Sequence, residues 1–235
     1  MEKVSVFKLI VEDFSTARRK DPAIRSRVEL FFNYPGVWSL ATHRVAHKLH
    51  GLGLRRLSRV LSGLTQIATG IDLHPAAKVG RRVFIDHGLG VVIGETTIIG
   101  DDVTIYQGVS LGGVSLERKK RHPTIEDGVV IGAGAKVLGD ITIGKNAKIG
   151  ANSVVIKPVP PDSTAIGLPA RVIEKGRSKS PMDLNKIPDI DSQLFGYLLK
   201  RVAIIEHALA KTNIDIEAED KQLEEIYKAF LDSIK

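Results

Sequence analysis

Ile125-Glu-Asp-Gly-Val-Val-Ile131-Gly-Ala-Gly-Ala-Lys-Val137-Leu-Gly-Asp-Ile-Thr-Ile143-Gly-Lys-Asn-Ala-Lys-Ile149-Gly-Ala-Asn-Ser-Val-Val155 carries an aliphatic residue at every sixth position. The same register runs upstream through Val79, Ile85, Ile93, Ile99 and Ile105, with one eight-residue step between Ile85 and Ile93. Small or β-branched residues follow most of these anchors at the fourth position, among them Val83, Thr97, Val103, Val129, Ala135, Ala147 and Ser153. A period of six is not the 3.6 of an α-helix, where the many glycines would cost about 1 kcal/mol each. Units this short cannot bury an apolar face alone and must stack on one another. Three hexapeptides close one triangular coil of roughly eighteen residues, a parallel β-helix. The prism is expected from about Ile71 to Ile173.

The register breaks once. Gly112-Gly-Val-Ser-Leu-Glu-Arg-Lys-Lys-Arg-His-Pro-Thr124 is longer than one repeat and charged where the repeats are apolar. Insertions of this kind become surface loops on a binding face. Upstream, Val4, Phe7, Ile10, Val11 and Phe14 sit at helical spacing. Asp21-Pro22 reads as a helix N-cap with proline in the first turn. Asn33-Tyr34-Pro35-Gly36 reads as a turn, and helices follow over about 36–50 and 53–68. Downstream, 176–191 is a polar linker. Phe195, Leu198, Val202, Ile205 and Leu209 then form a short a/d seam within 192–235. The expected class is therefore α+β. A helical N-terminal lobe (1–68) leads into a parallel β-helix (69–175, with the 112–124 loop), and a helical tail follows.

The chain has 235 residues, 43% hydrophobic and 26% charged, in the range of globular proteins. It has no cysteine, which removes disulfides, thiolate catalysis and cysteine-bound zinc together. No apolar run approaches the ~18 residues of a membrane span. The first residues lack an apolar signal core, so a cytoplasmic location is expected. A net charge of +7 calls for an anionic partner. No aromatic residues interleave with Arg118-Lys119-Lys120-Arg121 to stack bases, so a phosphorylated cofactor is favoured over nucleic acid.

His43 and His47 lie four apart on a helix, a spacing that can ligate metal, but no third ligand accompanies them. His87 differs: it follows Asp86 on a rigid coil, and Asp72 precedes it by fifteen residues. At about eighteen residues per turn, Asp72 and His87 approach one edge of adjacent coils. A neutral imidazole oriented by a carboxylate suits a general base near pH 7. Spacing alone leaves open whether the pair is structural or catalytic. Arg121 offers a planar fork for a carboxylate, or is simply a solvated loop residue.

Several motifs together resemble the serine O-acetyltransferases. They are Asp72-Leu-His-Pro-Ala-Ala, Asp86-His87-Gly88, Val92-Ile-Gly-Glu-Thr96, Leu111-Gly-Gly113, Arg121-His122-Pro123, Ile131-Gly-Ala-Gly-Ala-Lys136 and Gly167-Leu-Pro-Ala-Arg171. The likeness reaches upstream through Asp21-Pro22-Ala23 and His43-Arg-Val-Ala-His47, covering about residues 15–175. It implies a left-handed β-helix and acetyl transfer from acetyl-CoA to the L-serine hydroxyl, toward cysteine, with no metal. His87 would be the general base and Asp72 its orienting partner. Arg121 and His122 would hold the serine carboxylate, and Asp21 and Asp86 its amino group. Gly113, Ala133 and Ala151 would admit the pantetheine arm, with Lys136, Lys148 and Arg171 toward the phosphates.

The resemblance also implies feedback inhibition by cysteine and sites formed between neighbouring subunits. Only about twenty residues precede Asp21, where the family carries a longer helical domain, so a homotrimer is expected rather than a hexamer. The chain ends Asp232-Ser-Ile-Lys235, with lysine where the family presents a terminal isoleucine to O-acetylserine sulfhydrylase. A weak or absent complex with that enzyme is expected. The alternatives are a hexapeptide acyltransferase acting on a sugar or antibiotic hydroxyl, which needs no carboxylate clamp, and a non-catalytic regulatory partner.

Overall fold

The structure, a computed structural model, describes residues 5–173, 197–202 and 205. Residues 1–187 and 188–235 form two compact units. In the second, the described residues 197–202 and 205 are helical, and the rest of the expected tail and the 176–191 linker lie outside the described residues.

The first unit opens with four helices: α1 (Val6–Lys20), α2 (Arg27–Asn33), α3 (Pro35–Gly51) and α4 (Arg55–Thr69). Fifteen short strands follow, from β1 (Asp72–Leu73) to β15 (Ala170–Ile173). They build three parallel sheets, here named A (β1-β4-β7-β10-β13), B (β2-β5-β8-β11) and C (β3-β6-β9-β12-β14), so through β13 every third strand returns to the same face. Asp72 pairs with Val92, twenty residues on, and Val92 pairs with Ser110, eighteen on. The eight-residue step thus lengthens the first coil by two. Ser110 then pairs with Lys136, so the loop inserts eight residues into the third coil.

Inside the prism, the anchors Ile85, Ile93, Ile105, Leu111, Ile125, Ile131, Ile143 and Ile149 come from all three sheets and form one buried core. Their strands are short because the chain turns at a corner every few residues. The coil repeat ends at β14 (Thr164–Gly167), which β15 joins as an antiparallel hairpin. That hairpin closes the solenoid end against further strand addition.

The lobe is held by polar contacts. The Arg44 guanidinium donates to both Asp13 carboxylate oxygens at 3.0 Å, and to the Val79 and Gly80 carbonyls at 2.7 and 2.8 Å. One buried side chain therefore ties α1 and α3 to the prism. Lys20, the last residue of α1, donates to the Asp102 carbonyl at 2.8 Å and to Thr104 Oγ1 at 3.0 Å. Gly36 in the first turn of α3 lies so close to sheet C that a Cβ there would collide with the Ile85 carbonyl.

Two local expectations are corrected. Asp21 caps no helix start: it ends α1, and residues 21–26 are not helical. The next helix begins at Arg27, where Ser26 Oγ accepts from Glu29 N at 3.0 Å and Glu29 Oε2 accepts from Arg25 N at 2.9 Å. Those two side-chain bonds set the helix start at Ser26 and outcompete the proline signal. Asn33–Gly36 is likewise a single-residue break at Tyr34 between two helices rather than a turn. A residue before proline is kept out of the helical region, so Tyr34 breaks the run while Pro35 starts α3.

Candidate active site

Two clusters occupy two different edges of the prism. The first lies between sheets C and A. There Ile85-Asp86-His87-Gly88 turns the corner, with His87 in the left-handed region at φ 57° and its ring exposed. Among non-glycine residues, histidine is one of the few that tolerate this conformation, and here it carries the ring outward. The ladder pairs Asp86 N with Ile105 O, Tyr106 N with Ile131 O and Gly132 N with Ile149 O. His87, Gln107, Ala133 and Ala151 therefore occupy equivalent positions in four successive coils. At about 4.8 Å per rung, this row runs about 14 Å down the edge.

The end of α1 meets the same edge. Asp21 Oδ2 accepts from the Tyr34 hydroxyl at 2.6 Å, and Oδ1 accepts from Ala23 N at 2.8 Å. Burial pushes the Asp86 carboxyl above its ordinary range; His87 opposes this and the Asp21 charge adds to it. Burial first, then the charges of Asp86 and Asp21, raise the Tyr106 phenol as well. Two carboxylates, two phenols and an imidazole thus share one corner.

The second cluster lies between sheets A and B. The His122 ring is seated flat over Gly94, where a Cβ would collide with it. Its Nδ1 accepts from Thr96 N at 3.2 Å and lies 2.8 Å from Thr96 Oγ1. Thr96 Oγ1 also accepts from Arg121 N and His122 N, both at 3.1 Å, so its own proton is directed at Nδ1. The neutral ring therefore carries its proton on Nε2. Burial, then the charges of Arg121 and Lys120, hold the His122 pKa below the usual value. Arg121 donates to Glu95 Oε2 at 2.9 Å and to the Glu117 carbonyl at 3.0 Å. Gly113 sits against Arg121 and His122.

The structure brings together Asp21, Asp86 and His87 on one edge, in line with Ala133 and Ala151. It brings Gly113, Arg121 and His122 together on the other. Asp72 lies on the face of sheet A between these edges, in register with Val92. Among the described residues of the one chain, neither its carboxylate nor the His87 ring has a side-chain hydrogen bond. The strand residues and flanking glycines that separate the edges span about 13–16 Å, wider than a serine molecule is long. Gly113 is thus parted from Ala133 and Ala151, with which sequence reasoning grouped it. Lys136 donates to the Gly108 carbonyl and, at 3.2 Å, to Ser110 Oγ, so its ammonium braces sheet A. Lys148 and Arg171 lie on sheet C, in β12 (Lys148–Ile149) and β15. Sequence reasoning gave no role to Tyr34, Glu95, Thr96 or Tyr106. Glu95 and Thr96 lay within the Val92-Ile-Gly-Glu-Thr96 motif without a role, and Tyr106 stands one twenty-residue coil after Asp86.

His43 and His47 are engaged elsewhere: His43 is buried between α3, α4 and the prism, and His47 Nδ1 lies 2.8 Å from the Pro75 carbonyl.

A stacked-hexapeptide prism with an imidazole on one edge defines the hexapeptide acyltransferase class. The family model described as bacterial transferase hexapeptide (six repeats) matches residues 122–157. The three parallel sheets and this match fit a left-handed β-helix. A curated serine acetyltransferase of Synechococcus elongatus is 47% identical over 210 residues, spanning 89% of this chain and 86% of the relative. One from Mycobacterium tuberculosis is 50% identical over 196 residues, 83% of this chain and 85% of the relative. The chain belongs to the serine acetyltransferase family.

Solved structures agree. A serine acetyltransferase in complex with cysteine aligns at a TM-score of 0.73 and 40% identity, over 78% of this chain and 72% of that one. The Neisseria gonorrhoeae enzyme in complex with serine aligns at 0.68 and 40%, over 72% and 69%. A complex with CoA aligns at 0.67 and 42%, over 72% and 70%.

Proposed function

We propose that this chain transfers the acetyl group of acetyl-CoA to the hydroxyl of L-serine, releasing CoA and O-acetyl-L-serine on the way to cysteine. The observation that carries this reading is the opposite character of the two edges. One presents two carboxylates beside an imidazole, and the other a guanidinium with a neutral N–H donor. Free serine carries the matching ammonium and carboxylate, with its hydroxyl one carbon away on the side chain. A sugar needs neither clamp.

Because one chain holds its clamps too far apart, the edges of neighbouring subunits in a homotrimer complete each site. Asp21 and Asp86 take the ammonium, and Arg121 and His122 the carboxylate. His87, oriented by Asp72, removes the hydroxyl proton as the oxygen attacks the thioester carbonyl. The tetrahedral adduct then expels the CoA thiolate, which takes the proton back from the imidazolium. No acyl-enzyme forms, so the gain comes from holding both substrates together and from proton transfer. The small residues Ala133 and Ala151 in the row below His87 leave a track for the pantetheine arm; that a solved serine acetyltransferase binds CoA supports the cofactor. Gly113 lies at the carboxylate edge, and Lys148 and Arg171 supply cations toward the phosphates. Cysteine, matching serine at both clamps, inhibits at the same site. We place the enzyme in the cytoplasm.

Thiol release from acetyl-CoA is the test. It should require L-serine rather than hexoses and fall on adding cysteine; release with hexoses alone would overturn the assignment. Mixing His87→Ala with Arg121→Ala subunits after unfolding and refolding should regain part of the activity that each lacks. No regain would rule out the shared site.

A further inference from the structure

We propose that Tyr34 is a positioning residue, fixing the Asp21 carboxylate at the ammonium clamp; this deepens the proposed function and rests on it. The chain of contacts begins at Gly36. With no side chain, it lets the first turn of α3 rest on the Ile85 carbonyl, one residue before Asp86. Pro35 forbids the helical conformation at Tyr34, whose backbone stands at φ −117° and ψ 78°. The break carries the phenol off the helix axis and over the prism edge. There its hydroxyl donates to Asp21 Oδ2 at 2.6 Å, a short charge-assisted bond.

Asp21 needs such a partner because its backbone is not helical and α1 ends at the preceding residue. Lys20, pinned to Asp102 and Thr104, fixes where the chain leaves the helix but not where the next side chain points. Ala23 N holds Oδ1 at 2.8 Å and Tyr34 holds Oδ2. Together they lock the carboxylate plane and leave one lone pair on each oxygen for an ammonium N–H. Tyr34 also supplies a donor beside the Asp21 charge, which adds to the cost of ionising Asp86.

The experiment compares wild type, Tyr34→Phe, Asp21→Asn and the double variant by thiol release. Tyr34→Phe keeps the ring and its packing and removes only the hydroxyl. It should raise the KM for L-serine roughly tenfold, the loss expected for a hydrogen bond to a charged group. The KM for acetyl-CoA and kcat should stay within about twofold. In the Asp21→Asn background the same change should add almost nothing, because the two residues act as one unit. An unchanged serine KM in Tyr34→Phe, an equal shift in both KM values, or full additivity with Asp21→Asn would each overturn the inference while wild type acetylates serine. Wild type that releases no thiol with serine would overturn the proposed function itself.

Discussion

The prism and the helical lobe meet at one site but are held together by different physics. The prism is a column of aliphatic side chains, each coil adding the same contacts and the same backbone ladder as the last. Almost every buried group there is apolar or a backbone partner. The lobe buries an ion pair, an imidazole and several serines, and its attachment runs through single contacts such as Arg44 to Val79 and Gly80. Repetition makes the prism stiff in a way that tolerates small local losses. Singular polar contacts make the lobe specific instead, and they deliver Asp21 to an edge that it does not build.

The sharpest break of this comparison is His87→Ala. It removes the imidazole from a rigid corner, so turnover should drop by roughly 10²–10⁴, while the melting temperature falls only by the small cost of alanine at a positive φ. A drop in melting temperature of the same severity would mean the ring supports the corner rather than the chemistry.

Next comes Arg44→Ala against Ile131→Ala. Removing the guanidinium strands Asp13 without a partner inside the lobe, a loss of about 3–5 kcal/mol. Truncating the prism anchor costs about 2–5 kcal/mol. The two differ in consequence: Arg44→Ala should raise the serine KM by loosening α1, while Ile131→Ala should lower stability with the serine KM intact. Denaturant titrations with paired kinetics check this, and equal effects on KM would erase the distinction between the regions.

A smaller effect appears in acid. Burial pushes the His43 imidazole down to about 3, with the Arg44 and His47 charges adding to the depression. Its ordinary value is 6.5. Between these two values the unfolded chain binds a proton that the folded chain refuses, so stability rises with pH and falls on acidification. The slope is about 1.4 kcal/mol per pH unit from this group. His43→Gln should flatten the pH dependence of unfolding between pH 6 and 4.

The smallest effect concerns Asp86. Its carboxyl titrates above the usual range, so the serine KM should begin to climb at a higher pH on acidification than an ordinary carboxylate would require. The KM for acetyl-CoA should not follow, and Asp86→Asn should remove that limb of the profile.

Much of the prism was legible because units of six must stack in three-sided coils, but the count of eighteen missed the twenty-residue first coil, which holds Asp72 and His87 together rather than on adjacent coils. The stacked row of His87, Ala133 and Ala151 follows from the same count. Reading failed where contacts join distant segments. Asp21-Pro22 matched a helix start, yet Ser26 with Glu29 offered two backbone bonds where Asp21 offered one side-chain signal. Gly113 and Ala133 look alike as small residues of the repeats, but they turn different corners. Lys136 looked available for a phosphate until the neighbouring coil brought Gly108 and Ser110 beneath it. Tyr34 carried no visible signal, because its partner lies thirteen residues away across a helix break.

Repeat length and residue type alone therefore determined the stacked-coil architecture and placed His87 on a corner of it. A periodic pattern dictates which residues stack along the prism axis, since each coil must repeat the last. It leaves undetermined which of the three edges each group faces relative to the rest. Tertiary packing decided that, by seating α1 and α3 on one edge and folding the inserted loop back over another.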